Sequence, residues 1–190
     1  MIHREAEIKL RVEKPSLFKA RLRDLGAVLL RSRHFEDNHI MDFEDERLRR
    51  SNSLLRLRIA GKKAYLTFKG PSRILSGTKA RREMESELIE GRTVLRILYL
   101  LGLRCHFRYQ KHRTIFRLSR TMITLDETPI GNYAEIEGEP VSIKRIAKKL
   151  GFEEKHFITD TYLELFNKYR NKNRVRSRHM KFGIKAHSDH

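Results

Sequence analysis

The sequence predicts an α+β protein, with a largely antiparallel sheet of about eight strands and four amphipathic helices. The strand-like segments follow one another in hairpin succession, which favours antiparallel pairing. Nearly every strand has one apolar and one charged face. Three short apolar-periodic segments end in Leu-Gly, at Gly26, Gly102 and Gly151, as helices do when a glycine adopts the left-handed conformation after their last turn.

The first strand, residues 5–12, alternates without a break. Glu5, Glu7 and Lys9 share one face, and the opposite face is apolar. Two carboxylates about 7 Å apart on one face are unfavourable unless a cation lies between them, and hard cations such as Mg²⁺ bind carboxylate oxygens. Taken alone, this strand also fits the solvent-exposed face of an antiparallel sheet.

The sequence also predicts a first helix, one loop and several further strands. Pro15 opens the first helix, at a position where its missing N–H does no harm. Residues 74–81 are predicted to be an exposed flexible loop. Further strands are predicted over residues 28–33, 34–43, 54–60, 64–70, 83–87, 108–119, 122–126 and 133–138.

Such a sheet tends to curl or close, and two arrangements fit it. In the first, the apolar faces fill the interior and the charged faces meet water. In the second, helices cover the apolar faces from outside, and the charged faces line a tunnel. The predicted helices and the presence of both charge signs on the strands are compatible with the second arrangement.

Charged side chains recur on strand after strand. The acidic residues are Glu5 with Glu7, Glu83 with Glu85, Glu135 with Glu137, and Asp126. The basic residues are Lys9, Arg56, Arg58, Lys69, Lys111 and Arg113. Arginine suits bidentate phosphate binding and lysine supplies a mobile point charge, while metal ions bridge phosphate and carboxylate oxygens. Each residue alone fits a surface salt bridge, but the set indicates a lining for a triphosphate and its metal.

Composition restricts the partners and the compartment. The 42 Lys and Arg against 24 Asp and Glu leave a formal net charge of +18, which indicates polyanionic partners. The single cysteine, Cys105, excludes an internal disulfide and fits a reducing compartment, so we expect a cytoplasmic protein. No segment resembles a signal peptide or a membrane span, and we expect no membrane association.

Eight segments, in order, resemble the CYTH family, which holds class IV adenylyl cyclases and thiamine triphosphatases among the triphosphate tunnel metalloenzymes. They cover roughly residues 1–166. The segments are Glu5-x-Glu7-x-Lys9, Leu55-Arg56-Leu57-Arg58, Leu66-Thr67-Phe68-Lys69-Gly70-Pro71, Arg82-Glu83-Met84-Glu85, Lys111-x-Arg113, Leu125-Asp126, Ile130-Gly131-Asn132-Tyr133-Ala134-Glu135-Ile136-Glu137 and Thr161-Tyr162-Leu163-Glu164-Leu165.

The resemblance implies a closed eight-stranded antiparallel β-barrel around a triphosphate tunnel, with flanking helices on the outside. It implies Mg²⁺ or Mn²⁺ as cofactor. By resemblance, the metal ligands are Glu5, Glu7, Glu135, Glu137 and Asp126. The triphosphate-binding residues are Lys9, Arg56, Arg58, Lys69, Lys111 and Arg113, and Glu83 and Glu85 complete the tunnel lining.

The motifs leave the reaction open. A class IV adenylyl cyclase converts ATP to cyclic AMP and pyrophosphate, whereas a hydrolase of the same family cleaves tripolyphosphate, thiamine triphosphate or a nucleoside triphosphate. Both reactions use the same cations and metal. A rival function, suggested by the net charge, is nucleic-acid or polyphosphate binding without catalysis.

The chain is predicted to end in a basic tail. We expect residues 1–166 to form the catalytic domain and residues 167–190 to form a flexible extension that makes weak, nonspecific polyanion contacts. The tail holds Lys168, Arg170, Lys172, Arg174, Arg176, Arg178, Lys181 and Lys185 against Asp189 alone. We expect a monomer or a homodimer.

Overall fold

The computed structural model describes residues 3–71, 73–75 and 78–184, with side chains for residues 6–71 and 82–184. The strands in these ranges are β1 (His3–Arg11), β2 (Val28–Asp42), β3 (Leu54–Ala60), β4 (Lys63–Lys69), β5 (Arg73–Leu75), β6 (Thr78–Leu88), β7 (Arg104–Leu118), β8 (Thr121–Thr128) and β9 (Gly131–Gly138). The α-helices are α1 (Pro15–Asp24), α2 (Arg47–Arg50), α3 (Gly91–Leu100), α4 (Pro140–Lys149) and α5 (Tyr162–Lys172). None of the described helices has the length and apolar character needed to cross a membrane.

The strands form one curled antiparallel sheet. Its order is β1-β9-β8-β7-β2-β3-β4-β6-β5, and β1 also pairs with β6. Because β5 spans only three residues, eight strands make up most of the sheet. The α+β class and the antiparallel pairing are therefore confirmed. The predicted closed barrel differs from the structure, because the strand order is that of an open sheet, with β1 and β5 at its ends. The additional pairing of β1 with β6 runs from His3 opposite Glu83 to Glu7 opposite Lys79.

Helices cover the apolar faces of the sheet from outside. The outward residues of β1, Ile8 and Leu10, are fully buried with Phe18 and Leu22 of α1 and Ile143 of α4. Separate clusters form where α3 packs near β3 and where α5 packs near β7. The faces opposite the α1–α4 and α3 clusters carry the buried charged side chains, as the second of the two predicted arrangements requires. The α5 cluster lies on that charged face, since Phe107 and Tyr109 alternate in step with Lys111 and Arg113.

Local sequence signals explain where the helices begin and end. Gly26, Gly102 and Gly151 have φ values of 78°, 90° and 89°, so the left-handed conformation predicted after three helices is confirmed. At the start of α5, the Thr161 hydroxyl accepts from the Glu164 amide at 3.3 Å. The Glu164 carboxylate in turn accepts from the Thr161 amide at 2.6 Å, which completes a capping box.

Two predicted elements differ from the structure. The strands expected over residues 28–33 and 34–43 are one 15-residue strand, β2, with register shifts between Leu29 and Arg31 and between Arg31 and His34. These irregularities disturb the two-residue alternation, which is why the pattern looked like two weak strands. The loop expected over residues 74–81 is wrong for its described backbone, which lies in β5 and β6.

The C-terminal region also differs from the flexible tail expected after residue 166. Helix α5 continues to Lys172, and the chain then returns to β7. Met180, which is fully buried, donates its amide to the Arg108 carbonyl at 3.0 Å and accepts from the Gln110 amide at 2.8 Å. Val175 is buried as well. We call residues 173–184 the C-terminal strap; residues 185–190 lie outside the described ranges.

Candidate active site

Strand pairing brings opposite charges together on the concave face of the sheet. Lys9 lies directly opposite Glu135, Lys111 opposite Glu36, and Lys69 opposite Glu83. Directly opposed side chains in antiparallel strands are close enough to interact, so the register alone produces these pairs. The alternation read from the sequence therefore becomes a set of ion pairs that links neighbouring strands.

Most of the predicted site residues line one cavity of about 310 Å³. They are Glu7, Arg56, Arg58, Lys69, Glu83, Glu85, Lys111, Arg113, Glu135 and Glu137. Lys9 instead lines an adjoining cavity of about 260 Å³, and Asp126 is buried outside both linings. For Glu5 only the backbone is described, and it lies in β1.

Lys9 lies between two carboxylates. Its Nζ is 3.2 Å from Glu135 and 3.7 Å from Glu7. Burial alone would lower the pKa of this ammonium, but the two carboxylates outweigh burial and the net pKa is raised. The same surroundings hold the pKa of Glu135 well below its usual range, since Lys9 and Arg113 outweigh the opposing effect of burial. Both groups are therefore charged at neutral pH.

Arg56 and Arg58 share Glu85 as a counter-anion. Arg58 Nη2 is 3.0 Å and Arg56 Nη2 is 3.4 Å from the Glu85 carboxylate, which also accepts the Thr67 hydroxyl at 2.6 Å. Lys69 of β4 forms an ion pair with Glu83 of β6, the strand that also carries Glu85. Because Glu85 is partly exposed to the cavity, an incoming anion is able to take its place beside the arginines.

Asp126 is the hub of a buried network. Its carboxylate accepts Lys111 Nζ at 2.9 Å, Arg113 Nε and Nη2 at 2.6 Å each, and the Tyr162 hydroxyl at 2.6 Å. Arg113 also pairs with Glu135. Asp126 is 0% exposed, and both of its oxygens accept hydrogen bonds. It holds two cations and a hydroxyl in place.

Tyr162 projects from the first turn of α5 into this network. Its ring lies 5.4 Å from Lys9 Nζ and 5.1 Å from Lys111 Nζ, both within the range of cation–π contacts. Burial, followed by the negative charge of Asp126, raises the pKa of the Tyr162 hydroxyl well above its usual range. The hydroxyl is therefore a hydrogen-bond donor at any physiological pH.

The oxygen donors on β1 and β9 fit a hard divalent cation. Glu7 lies directly opposite Glu137, and Glu135 is two residues away on the same face of β9. Like charges directly opposed across strands are unfavourable, and a cation between them removes that cost. Among the described side chains, no three or more Asp, Glu, His or Cys residues are already arranged around a single point as metal ligands.

Sequence reasoning missed Glu36, which is almost completely buried within the site. It lies 3.5 Å from Arg58 and 3.7 Å from Lys111. Burial would raise the pKa of its carboxyl group, but Arg113 and Lys111 hold that pKa well below its usual range. His34, Glu36 and Asn38 share one face of β2, but Asp37 and His39 on the other face are also polar, so no apolar alternation marked Glu36 in the sequence.

The adjoining cavity has a different character from the charged one. Its lining combines the side chains of Ile40, Leu54, Phe107 and Leu163 with hydrogen-bonding groups such as Asn52 and Asn167. Three residues, Arg56, Tyr109 and Tyr162, line both cavities and so connect the two. The two cavities together offer a highly charged compartment beside a mixed apolar and polar one.

Comparisons with known proteins agree with this architecture. Residues 3–162 match the CYTH domain. A Methanocaldococcus jannaschii protein named "putative adenylate cyclase" is 24% identical over 172 residues, which is 85% of this chain and 97% of that protein.

Two solved structures have the same fold. One, called a "putative adenylate cyclase", is from Vibrio parahaemolyticus, with a TM-score of 0.77 and 18% identity, covering 87% of this chain and 98% of its own. The other, from Hippeastrum, is described as a "putative adenylyl cyclase" with a dominant triphosphatase activity. It has a TM-score of 0.66 and 20% identity, covering 87% of this chain and 96% of its own. At these identities the two structures show the fold alone.

Proposed function

The chain belongs to the CYTH domain family, whose members are adenylyl cyclases or triphosphatases, and on this premise we propose that it is a metal-dependent enzyme acting on a triphosphate. The first candidate reaction is that of a class IV adenylyl cyclase, which converts ATP to cyclic AMP and pyrophosphate. The second is hydrolysis of a triphosphate, namely tripolyphosphate, thiamine triphosphate or a nucleoside triphosphate.

The convergence of cations on one cavity carries this proposal. Arg56, Arg58, Lys69, Lys111 and Arg113 reach it from three different strands, and Lys9 of a fourth strand, β1, adjoins it. Phosphoryl transfer depends on positioning and on neutralising charge that spreads over phosphate oxygens, and this set supplies both. Asp126 keeps Lys111 and Arg113 in place, so we assign it a positioning role rather than metal ligation.

The carboxylates of Glu7, Glu135 and Glu137, with Glu5 beside them in β1, are the proposed ligands of Mg²⁺ or Mn²⁺. A bound cation supplies charge neutralisation and polarises the phosphoryl group. We propose further that the β1–β6 pairing closes the curled sheet into the tunnel predicted from the sequence. A triphosphate would then be surrounded by side chains from most of the strands.

A specific observation favours an organic triphosphate over inorganic tripolyphosphate. The adjoining cavity of about 260 Å³ offers apolar and amide side chains, which a purely anionic substrate does not need. The Hippeastrum neighbour, with its dominant triphosphatase activity, is the reason for keeping hydrolysis as the second candidate.

One incubation series tests the proposal. Purified protein is mixed with ATP, thiamine triphosphate or tripolyphosphate, with Mg²⁺, with Mn²⁺ or with a chelator. Cyclic AMP with pyrophosphate identifies a cyclase, and orthophosphate identifies a hydrolase. An Arg113→Ala variant controls for contaminating phosphatases. Metal-independent turnover, or no turnover of any of the three substrates, would contradict the proposal.

The other parts of the proposal concern the setting of the enzyme. We propose a cytoplasmic location, since the single cysteine, Cys105, is a free thiol. We propose that the protein acts as a monomer or a homodimer, which sedimentation of the purified chain distinguishes.

A further inference from the structure

The C-terminal strap runs alongside the first half of β7 and pairs with its backbone. Its backbone pairs with Arg108 and Gln110 through Met180, and the Phe182 amide donates to the Gln110 side-chain oxygen at 3.1 Å. Burial alternates along its first half, where Val175 is buried and Arg176 and Arg178 are exposed. The strap is therefore held by its apolar residues and presents arginines outward.

The strap and the last residues of α5 before it carry only positive charge. Residues 167–184 contain no Asp or Glu, and their cations are Lys168, Arg170, Lys172, Arg174, Arg176, Arg178 and Lys181. Neither Arg176 nor Arg178 forms an ion pair with a side chain in the described part of the chain. Exposed guanidinium groups at successive outward positions provide regularly spaced charge for a linear polyanion.

Partly exposed aromatic rings lie at the C-terminal end of the strap. Phe182 packs against His112, with 4.9 Å between ring centroids, and His112 packs against Phe35 at 5.5 Å. Phe35 and Phe182 are 40% and 41% exposed. Rings this exposed contribute little to the core, yet they offer apolar faces beside the strap cations.

We propose that the strap and this aromatic cluster bind single-stranded nucleic acid. Proteins that bind single strands combine cations along the backbone with aromatic rings on which unpaired bases stack. Inorganic polyphosphate would use the cations but not the rings, and a duplex would hide its bases from them. The rings of Phe35 and His112 lie on the face of the sheet opposite Lys111 and Arg113, which line the proposed triphosphate cavity.

The test is fluorescence anisotropy of the full chain with a labelled oligouridylate across a range of salt concentrations. Arg176→Gln together with Arg178→Gln is expected to weaken binding and to lower the salt slope by about 1.4, since each single-strand phosphate contact contributes about 0.7. Phe182→Leu, which keeps an apolar side chain but removes the ring, is expected to weaken binding by about fivefold to a hundredfold.

A charge-matched control separates this surface from the general basicity of the chain. Lys148→Gln with Lys149→Gln removes the same charge from exposed positions on α4, which packs on β1 and β9, and is expected to leave affinity nearly unchanged. Saturating tripolyphosphate is expected to leave binding intact, because it occupies the cavity.

Several outcomes would overturn the inference. Equal losses in the strap and α4 variants would show diffuse electrostatic attraction. Full affinity of Phe182→Leu, or equal binding of a duplex, would show that no base stacks on the ring. Competition by tripolyphosphate at the concentration that saturates turnover would show that the nucleic acid binds in the cavity and not at the strap. Turnover of triphosphates by the parent protein is measured separately, so the proposed function stands or falls independently.

Discussion

The buried carboxylate of Asp126 accepts a hydrogen bond from the Tyr162 hydroxyl at 2.6 Å, which joins α5 to the charged interior of the sheet. The same carboxylate holds Lys111 and Arg113. Tyr162 lies on α5, which packs against Phe107 and Tyr109 on the same face of β7 as Lys111 and Arg113. Its ring lies beside two site lysines, Lys9 and Lys111. The position of α5 and the geometry of the cations are thus physically coupled.

Tyr162→Phe tests this coupling, because it removes one hydroxyl and keeps the ring. Hydrogen bonds to charged groups contribute about 1.5–3 kcal/mol, so we expect the free energy of unfolding to fall by about that amount. The catalytic efficiency is expected to fall about tenfold, since Asp126 loses a donor that orients it. Urea denaturation and steady-state kinetics measure the two effects. Tyr99→Phe, on the exposed face of α3, is the control, and equal effects in both variants would rule out a role for the Asp126 contact.

Glu85→Gln is expected to strengthen anion binding. The carboxylate is the shared counter-anion of Arg56 and Arg58, and a phosphate has to displace it. A partly exposed ion pair is worth up to about 1 kcal/mol, so we expect the Kd for tripolyphosphate to fall by about fivefold, measured by calorimetry. Glu87 lies on β6, as Glu85 does, and pairs with the exposed Lys63. Glu87→Gln is therefore the control and is expected to leave the Kd unchanged. Weaker binding by Glu85→Gln would mean that the glutamate holds the arginines in place for the phosphate.

Glu7→Gln separates metal ligation from phosphate binding. It keeps the side-chain size but removes one of two directly opposed carboxylates, so activity is expected to drop steeply and to recover partly at higher Mg²⁺ or Mn²⁺. Arg58→Ala is expected to weaken substrate binding by about tenfold to a hundredfold without rescue by metal. Activity is titrated against metal and against substrate, with circular dichroism to confirm folding. Parent-like activity of Glu7→Gln at low metal would exclude Glu7 as a ligand.

Cys105 is expected to react slowly with alkylating agents near neutral pH. Burial raises the pKa of its thiol from 9.0 to about 11, so the reactive thiolate is scarce below that pH. The folded protein holds this proton more tightly than the unfolded chain does, so its contribution to stability is present below pH 9 and is lost as the pH rises to about 11. Iodoacetamide labelling rates against pH check this, and a rate that already reaches its plateau at pH 9 would contradict it.

Met180→Ala tests whether the C-terminal strap belongs to the folded domain. Truncating a fully buried methionine costs about 2–5 kcal/mol, and we expect unfolding to become easier by that amount. Met84→Ala, on β6 with the methionine 46% exposed, is the matched control and is expected to change stability little. Similar small effects in both variants would support the flexible extension expected from the sequence.

The site could be predicted to a large extent because strand geometry is local. Two-residue alternation decides which face each side chain takes, so Glu7 and Lys9, or Arg56 and Arg58, share a face without further information. The apolar stripes on the helices indicated that those helices cover the sheet, and the residues around Ile8 and Leu10 confirm it. Glu36 was missed because Asp37 and His39, on the opposite face of β2, are polar as well, so this segment lacks an apolar face.

The sequence by itself determined the fold class, the faces of the strands and the residues that carry charge inward, since these depend on neighbours along the chain. Only the tertiary structure decided which charges meet. The sequence assigned Asp126 by resemblance to a metal, whereas its contacts with Lys111, Arg113 and Tyr162 arise from the pairing of β7 with β8 and the packing of α5. The strap was likewise predicted to be a flexible tail, because its composition is basic. Two of its apolar residues, Val175 and Met180, are buried against β7, about seventy residues earlier in the chain, and such distant contacts cannot be read from local sequence.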